Sequence, residues 1–470
     1  MAKQQTRTWQ EVSLRIRAVI LVSLLAATTL SVGGQTVTVL YSFDGLNGAV
    51  PWSPQVLAQG RNGYLYGTVG DGGAFNVGTV FGITPSGNFR LLYSFTGSSD
   101  GGSSDSGLAL GTDGSFYGTT YYGGSASNCT TPLGCGTIFK ITPGGSLNTI
   151  YNFCQEMFCT DGVFPWSAPI PGENGSLYGT TGASTAYKIS STGGFTLLCR
   201  CFGESTSPLI QAMDGSFYGT SLTAGAYGYG SVFQVTATGN ATTIYNFDET
   251  EGGLPFAPLV QGTDGNFYGS TSAGGSAAGG MVFRLTAAGD LKVLHNFDQS
   301  LGDGYQAVGG LVQATDGNLY GVTSHGGAND DGVIFKITPD GNYSILYSFD
   351  GTHGAMPQGL PMQHTNGKIY GLTSYGGSAG MGTVYSLDIG LGAFVSTVTP
   401  IARVGKSIGI LGQGFTGTTN VSFNGIPATF TVGSDTFLKA TVPAGATTGF
   451  VTVTTPTGTL TSNKQFVVRQ

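Results

Sequence analysis

The sequence has 470 residues and a formal net charge of −7, and only 9% of its residues are Asp, Glu, Lys or Arg. Soluble domains usually have about 25%. This acidic, charge-poor composition argues against nucleic acid and anionic membrane surfaces as partners, because both bind clustered Lys and Arg. The 81 glycines and the 11% of aromatic residues instead indicate many short strands, joined by turns that need positive φ.

The first 34 residues are typical of an export signal. Lys3, Arg7, Arg15 and Arg17 precede an apolar stretch at 18–32, and small residues follow it. The stretch is shorter than the roughly 20 residues that a membrane-spanning helix needs. We therefore expect residues 1–34 to be removed as a signal peptide, leaving a secreted or cell-surface protein that does not insert into a membrane. An uncleaved anchor is the alternative.

A repeated unit begins after this segment, and its clearest copy covers residues 311–349. An apolar run is followed by an Asp316-Gly317 turn, a Tyr-Gly strand and a Gly-Gly loop; two further strands flank a Pro339-Asp340-Gly341 turn. Asp-Gly between alternating apolar residues is a strong hairpin signal. The Tyr-Gly pair recurs seven times at intervals near 50 residues: Tyr66-Gly67, Tyr117-Gly118, Tyr178-Gly179, Tyr218-Gly219, Tyr268-Gly269, Tyr320-Gly321 and Tyr370-Gly371.

A period near 50 residues matches a four-stranded propeller blade, for which about 40–50 residues are typical. The seventh copy lacks its last strand, while an unmatched strand of that type opens the repeat region at Thr36–Phe43. Pairing of this strand with the last copy would remove an exposed sheet edge. The sequence therefore predicts an all-β protein, with a seven-bladed β-propeller at 35–390 that is closed by its N-terminal strand. Six or eight blades are the lesser alternatives.

The motifs DGNLYGVTSHGG, VIFKITPDG and LYSFDG resemble the tandem repeats of the choice-of-anchor GloVer-type (Gloeobacter–Verrucomicrobia) proteins of bacteria. The resemblance implies a secreted or surface propeller-like protein and no established activity. The third copy departs from it, with Gly182-Ala183-Ser184 in place of the Gly-Gly loop and Cys199 to Phe202 in place of Tyr-Ser-Phe.

The period breaks after Asp388, and residues 394–470 read as short alternating strands between Gly, Pro and Asn-Gly turns. This segment resembles the immunoglobulin-like IPT/TIG domain through Gly405, Gly414-Phe415, Asn424-Gly425 and Val442-Pro443. Its cations are scattered along the sequence: Arg403, Lys406, Lys439, Lys464 and Arg469. We interpret the segment as a spacer or surface-binding module.

Six cysteines fall into three close pairs, Cys129 with Cys135, Cys154 with Cys159, and Cys199 with Cys201. The first two pairs are predicted to be disulfides, as expected in an oxidising compartment. A bridge between Cys199 and Cys201 on one strand would be strained, so these two are either free or paired elsewhere. Zinc is the rival explanation, but no histidine lies near any pair. No metal or other cofactor is expected.

Four residues are candidates for a ligand-binding rim. Trp52, Trp166 and Phe256 occupy equivalent places ahead of their Tyr-Gly strands, and a ring of aromatic side chains could stack on sugar faces. Packing between blades is the alternative for these three, because aromatic residues contribute much of a core's buried area. His325 lies in a Ser-His-Gly-Gly loop where it could face a ligand.

No catalytic set is apparent in the sequence. Only four histidines exist, and His295 replaces the Tyr of a Tyr-Ser-Phe strand, where we expect it to be packed. Most aspartates lie in turns, although Asp330-Asp331 and the pair Asp298 and Asp303 are alternatives for binding Ca²⁺.

These observations favour a non-enzymatic binding or adhesion scaffold that recognises extracellular carbohydrate or protein, and a monomer is expected. The alternative is an extracellular polysaccharide-active enzyme, a hydrolase or lyase, that uses loop carboxylates at the propeller mouth. A purely structural envelope component is a third hypothesis.

Overall fold

The structure is a computed structural model that describes residues 35, 37–52, 56–173 and 175–470. The predicted signal peptide at 1–34 lies outside these residues. The described chain is all-β, as predicted, apart from single turns of 3-10 helix at Met157–Cys159 and Gln299–Leu301. Within this part of the chain, no helix is long and apolar enough to cross a membrane.

The described repeats form seven antiparallel sheets, numbered here in chain order. The strands are Ala58–Gln59, Leu65–Val69, Thr79–Ile83 and Phe89–Ser94 (sheet 1); Ala109–Leu110, Phe116–Thr120, Thr137–Ile141 and Leu147–Asn152 (sheet 2); Ile170–Pro171, Leu177–Thr180, Thr185–Ile189 and Phe195–Arg200 (sheet 3); Ile210–Gln211, Phe217–Ser221, Ser231–Val235 and Ala241–Asn246 (sheet 4); Val260–Gln261, Phe267–Thr271, Met281–Leu285 and Leu291–Asn296 (sheet 5); Leu311–Gln313, Leu319–Thr323, Val333–Ile337 and Tyr343–Ser348 (sheet 6); and Ala355–Pro357, Met362–Gln363, Ile369–Tyr375, Thr383–Leu387 and Val37–Ser42 (sheet 7). A separate two-stranded ribbon joins Gly304–Tyr305 to His325–Gly326.

The N-terminal strand completes sheet 7. Val37–Ser42 pairs antiparallel with Thr383–Leu387, and Val37 lies opposite Leu387. The residue that follows the strand, Phe43, is buried in a core cluster shared by sheet 7 and sheet 1. The two ends of the repeat region are therefore joined both by a strand ladder and by apolar packing.

Successive sheets pack face to face through aromatic side chains. The ring of Tyr66 in sheet 1 lies 4.2 Å from that of Phe116 in sheet 2, and Tyr178 lies 3.9 Å from Phe217 in the same way. The glycine of each Tyr-Gly pair makes room for an aromatic ring of the next strand. A Cβ on Gly321 would lie only 2.4 Å from the ring of Phe335.

The turn aspartates are structural. In sheet 6 the Tyr320 hydroxyl donates to Oδ2 of Asp316 at 2.8 Å, and Asp316 Oδ1 accepts from the backbone N–H of Asn318 at 3.1 Å. Burial acts to raise the pKa of Asp316, but hydrogen bonds from Asn318 and Tyr320 outweigh it and the pKa is lowered. Equivalent Tyr–Asp hydrogen bonds recur in sheets 2, 4 and 5. These carboxylates hold the turns, as the sequence predicts.

The C-terminal segment forms two facing four-stranded sheets over one apolar core, hereafter the C-terminal module. One sheet contains Ser396–Thr397, Ser407–Leu411, Phe437–Thr441 and Phe430–Ser434, and the other contains Ile426–Pro427, Asn420–Phe423, Val451–Thr455 and Gly458–Thr461. Ile401–Arg403 pairs in parallel with Val467–Arg469. The module is not a detached spacer, because Val37–Gln470 form one compact unit.

All three cysteine pairs are bonded. Cys129–Cys135 and Cys154–Cys159 are the two predicted disulfides. Cys199 and Cys201, which the sequence left open, are also joined to each other. Among the described residues, the one group of three metal-ligand types close together is Cys135, Cys154 and Cys159, and these sulfur atoms are already in disulfides.

Candidate functional site

The repeat sheets present two different faces. The Asp-Gly or Asn-Gly turns precede the Tyr-Gly strands and the Gly-Gly loops follow them, so the two sets lie at opposite strand ends. The C-terminal module covers the first face, hereafter the turn face. Thr436 Oγ1 donates to the carbonyl of Arg61 at 2.7 Å, and Arg469 Nη2 donates to the carbonyl of Asp214 at 2.9 Å. The opposite face, the loop face, carries the Gly-Gly loops.

The loop face holds a cluster that is built partly on the short ribbon between Gly304–Tyr305 and His325–Gly326. Pairing in this ribbon stacks the His325 imidazole on the Tyr305 ring, with centroids 5.1 Å apart and planes inclined by 25°. Ser324 Oγ lies 2.9 Å from Nδ1 of His325. Asp330 ties the loop together, because its Oδ1 accepts from the N–H of Gly326 at 2.9 Å and its Oδ2 accepts from the Tyr305 hydroxyl at 3.4 Å.

The next loop adds Asp350 and His353 to this cluster. Oδ2 of Asp350 lies 2.8 Å from Nδ1 of His353, and its Oδ1 accepts from the His353 N–H at 2.8 Å. Partial burial acts to raise the pKa of Asp350, but these hydrogen bonds outweigh it and the pKa is lowered. An open cleft of about 770 Å³ lies beside Asp350 and His353 and is bordered by the N-terminal strand.

Asp331 connects the two loops. Its Oδ2 lies 3.6 Å from the place that a Cβ on Gly351 would occupy, next to Asp350. Burial and the charges of Asp350 and Asp330 raise the pKa of Asp331. Two neighbouring carboxyl groups thus have pKa values shifted in opposite directions.

The aromatic candidates do not join this cluster through any described ring contact. Trp52 is 38% exposed and meets Tyr375 edge-on at 5.9 Å. Trp166 is half-buried against Tyr121, with centroids 4.4 Å apart. Phe256 is also half-buried, and its carbonyl accepts from Thr206 Oγ1 at 3.4 Å. Each packs within its own part of the loop face, and their role in binding stays a prediction.

The calcium hypotheses find no support in the contacts of the described residues. Asp298 caps a short turn by accepting from the N–H of Ser300 at 2.9 Å. Asp303 Oδ2 lies 2.5 Å from Nε2 of His295, whose ring stacks on Tyr343 at 3.9 Å. His295 is therefore packed, as predicted. In the described chain, no three carboxylates converge closely enough to share an ion.

Sequence reasoning missed Asp350, His353 and Tyr305. Asp350 belongs to a Phe-Asp-Gly motif that also occurs at Phe43-Asp44-Gly45, so the motif does not distinguish it. His353, three residues later, was a usable signal because histidine is rare in this chain. Strand pairing within sheet 6 places Asp350 beside Asp331, and the short ribbon brings Tyr305 to His325.

Solved structures with a similar fold are propeller-like proteins. Virginiamycin B lyase from Staphylococcus aureus has 12% identity and a TM-score of 0.51, over 75% of this chain and 98% of that chain. A candidate 6-phosphogluconolactonase from Bacteroides uniformis has 16% identity and a TM-score of 0.45, over 66% and 88%. A candidate gluconolactonase has 11% identity and a TM-score of 0.39, over 77% and 94%. These likenesses concern the fold alone, and no curated protein sequence matches the chain.

The prediction that the chain is not an enzyme is contradicted by this comparison. It rested on the regularity of the repeats and on the lack of a singular polar cluster in the sequence. The same architecture belongs to a protein that is named as a lyase, so repeat regularity is no argument against catalysis. The loops of sheets 6 and 7 also supply the polar cluster that the sequence did not reveal.

The repeat region also matches a family model, the Gloeobacter/Verrucomicrobia repeat, over residues 26–207 and 182–385. These matches span well over half of the 470 residues and contain all seven Tyr-Gly pairs. The resemblance seen in the repeat motifs is thereby confirmed, whereas residues 394–470 lie outside the match. The chain belongs to the Gloeobacter/Verrucomicrobia repeat family.

Proposed function

We propose that this protein is an extracellular enzyme that hydrolyses polysaccharide at the loop-face cluster. The observation that carries the proposal is the pairing of Asp331 with Asp350, whose pKa values are shifted in opposite directions on neighbouring loops. Glycosidic bonds are commonly cleaved by two carboxyl groups of which one is protonated and the other ionised. The open cleft that Asp350 and His353 line gives an extended chain of sugars access to Asp350.

In this proposal Asp331 is the general acid and Asp350 the general base. The Asp331 carboxyl donates its proton to the leaving glycosidic oxygen, while the Asp350 carboxylate takes a proton from the water that attacks the anomeric carbon. His353 is a positioning residue, because its N–H groups hold Asp350 in one orientation and favour its ionised form. The stacked rings of Tyr305 and His325 provide a flat surface beside the acid for a neighbouring sugar.

We also propose a finer architecture and an extracellular location for this protein. The seven sheets are the blades of a closed propeller, and residues 394–470 are an IPT/TIG module. Pairing of Val37–Ser42 with the last sheet supports the closed ring. Three disulfides support an oxidising, extracellular compartment. Trp52, Trp166 and Phe256 are proposed to extend the glycan-binding surface along the loop face.

The test is a polysaccharide panel assayed for new reducing ends, with neutral and uronate-containing glycans. Asp331→Asn and Asp350→Asn are each expected to lower turnover at least about 100-fold, the usual scale for losing a general acid or base. Asp340→Asn is the matched control, because Asp340 is an exposed turn residue between two strands of sheet 6. This variant should keep full turnover.

Three outcomes would count against the proposal. An inactive wild-type protein on the whole panel, with glycan retained in a pull-down, would favour binding alone. Full turnover by Asp331→Asn would show that Asp331 is not the general acid. Reducing ends that appear together with the ultraviolet absorbance of an unsaturated uronate would indicate a lyase instead of a hydrolase.

A further inference from the structure

A second cavity lies away from the loop-face cluster, between the first strands of the sheets and the C-terminal module. Its volume is about 450 Å³, within the usual range for small-molecule sites. Leu209, Leu259, Leu311 and Met362 line one side, and residues 462–465 of the module line another. The walls are therefore contributed by several sheets and by a segment about 100 residues further along the chain.

Glutamine side chains at the ends of the first strands form a belt around this cavity. Gln261 Oε1 accepts from the N–H of Met213 at 2.9 Å, and Gln313 Oε1 accepts from the N–H of Thr263 at 2.9 Å, so each carboxamide links one sheet to its predecessor. The belt is interrupted in sheets 2 and 3, which have Leu110 and Pro171 in place of glutamine. In sheet 4, which follows, Gln211 Oε1 is buried and has no hydrogen-bond partner among the described residues.

Lys464 is the one ionisable side chain among the described residues that line the cavity. The backbone of its loop is fixed, because Ser462 Oγ donates to the Lys464 carbonyl at 2.7 Å and accepts from the N–H of Val451 at 3.0 Å. No described residue offers Nζ of Lys464 a hydrogen bond or an ion pair. The Lys464 side chain is exposed at the cavity wall, and desolvation by the surrounding protein lowers the pKa of Lys464 to about 8.

Lys464 has apolar walls and engaged carboxamides around it and no charged partner among the described residues. An anion held against these walls would gain a charge-assisted contact with its ammonium. The cavity thus offers apolar surface and one positive donor, which together suit a molecule with an apolar body and a single carboxylate head.

We propose that this second cavity binds an apolar molecule with one carboxylate, which pairs with the ammonium of Lys464. The C-terminal module is then a part of the binding site, because it supplies the only charge in the cavity wall of the described chain. This site is independent of the carboxylate pair on the loop face.

The experiment is calorimetric titration of the full mature chain with decanoate at pH 7, with 1-decanol as the neutral probe of equal length. We expect one decanoate per chain. Lys464→Met should weaken binding about tenfold or more, as expected for the loss of a charge-assisted contact. Lys464→Arg should keep most of the affinity, and Lys439→Met, at an exposed lysine of the same module, should bind like wild type.

The result can also overturn the proposal. If decanoate does not bind, or if Lys464→Met binds it as tightly as wild type does, the carboxylate site does not exist. Equal affinities for 1-decanol and decanoate would mean that the cavity recognises the apolar chain alone. Lys464→Met is expected to fold, because an apolar side chain of similar length replaces an ammonium that forms no ion pair in the described chain.

Discussion

Gln59 and Thr365, which are 306 residues apart in the sequence, hold each other across the junction between sheet 1 and sheet 7. Gln59 Nε2 donates to Oγ1 of Thr365 at 2.7 Å, and Gln59 Oε1 accepts from the N–H of Thr365 at 3.0 Å. Both groups are buried. This contact continues the glutamine belt across the place where the beginning and the end of the repeat region meet.

We predict that Gln59→Met lowers the free energy of unfolding by about 1–3 kcal/mol, because it leaves the buried N–H of Thr365 without its acceptor. Urea denaturation followed by circular dichroism measures the change. Gln299→Met is the control, since Gln299 makes only a 3.4 Å contact in an exposed loop. Equal stability of wild type and Gln59→Met would show that the junction does not depend on the belt.

The loop that carries His325 depends on a glycine next to it. Gly326 has φ +89°, and an added Cβ would lie 2.1 Å from the carbonyl oxygen of Asp303, whereas Gly317 has φ +79° and open space around it. We predict that Gly317→Ala costs about 1–2 kcal/mol for its left-handed backbone. Gly326→Ala should cost a further ~1–3 kcal/mol from the clash.

Thermal or urea unfolding of the two glycine variants measures this difference. Gly326→Ala should also displace the stacked His325 and lower turnover, while Gly317→Ala should leave turnover unchanged. Equal losses of stability in the two variants would mean that the ribbon moves to accept the methyl group.

The contact between His295 and Asp303 makes the stability of the fold depend on pH in the acid range. Burial acts to raise the pKa of Asp303, but hydrogen bonding and the positive charge of His295 outweigh it, so the pKa is lowered in the folded protein. A lowered carboxyl pKa contributes stability above the unfolded value near ~4, and that contribution is lost as the pH falls through the folded value.

We therefore predict that Asp303→Asn is less stable than wild type at pH 6 by roughly 1–3 kcal/mol and that the difference shrinks below about pH 4. Urea unfolding at several pH values tests this, with Asp340→Asn as the control for an exposed carboxylate. A difference that does not change between neutral and acid pH would assign the effect to packing instead of charge.

Lys464 should also make stability rise with pH, but in the alkaline range. Its pKa is lowered by burial from 10.5 to about 8, so between these two values the unfolded chain binds more protons than the folded chain does. Stability from this residue therefore rises as the pH increases from about 8 to about 10.

We predict that Lys464→Met is more stable than wild type at pH 7 and that this advantage disappears near pH 10. Urea unfolding at both pH values measures it, with Lys439→Met as the exposed control. Parallel changes in Lys464→Met and wild type would show that the amine is solvated in the folded protein.

The repeats and their turns could be predicted from the sequence because their signals are local. Asp316-Gly317 specifies a tight turn through its own backbone preferences, and Tyr320-Gly321 follows at a fixed distance. The unmatched strand at Thr36–Phe43 likewise indicated a distant partner, which the structure places at Thr383–Leu387. The disulfide between Cys129 and Cys135 could be predicted for the same reason, because the two cysteines are close in the sequence.

The sites were decided by tertiary structure. Asp331 and Asp350 lie in loops beside the paired strands Val333–Ile337 and Tyr343–Ser348 of sheet 6, and their opposite pKa shifts arise only in the folded sheet. In the sequence Lys464 is one of several scattered cations, but in the folded chain it lines a cavity. The physical reason is that turn and strand preferences act over a few residues, whereas burial and charge depend on neighbours that only the packing of distant segments supplies.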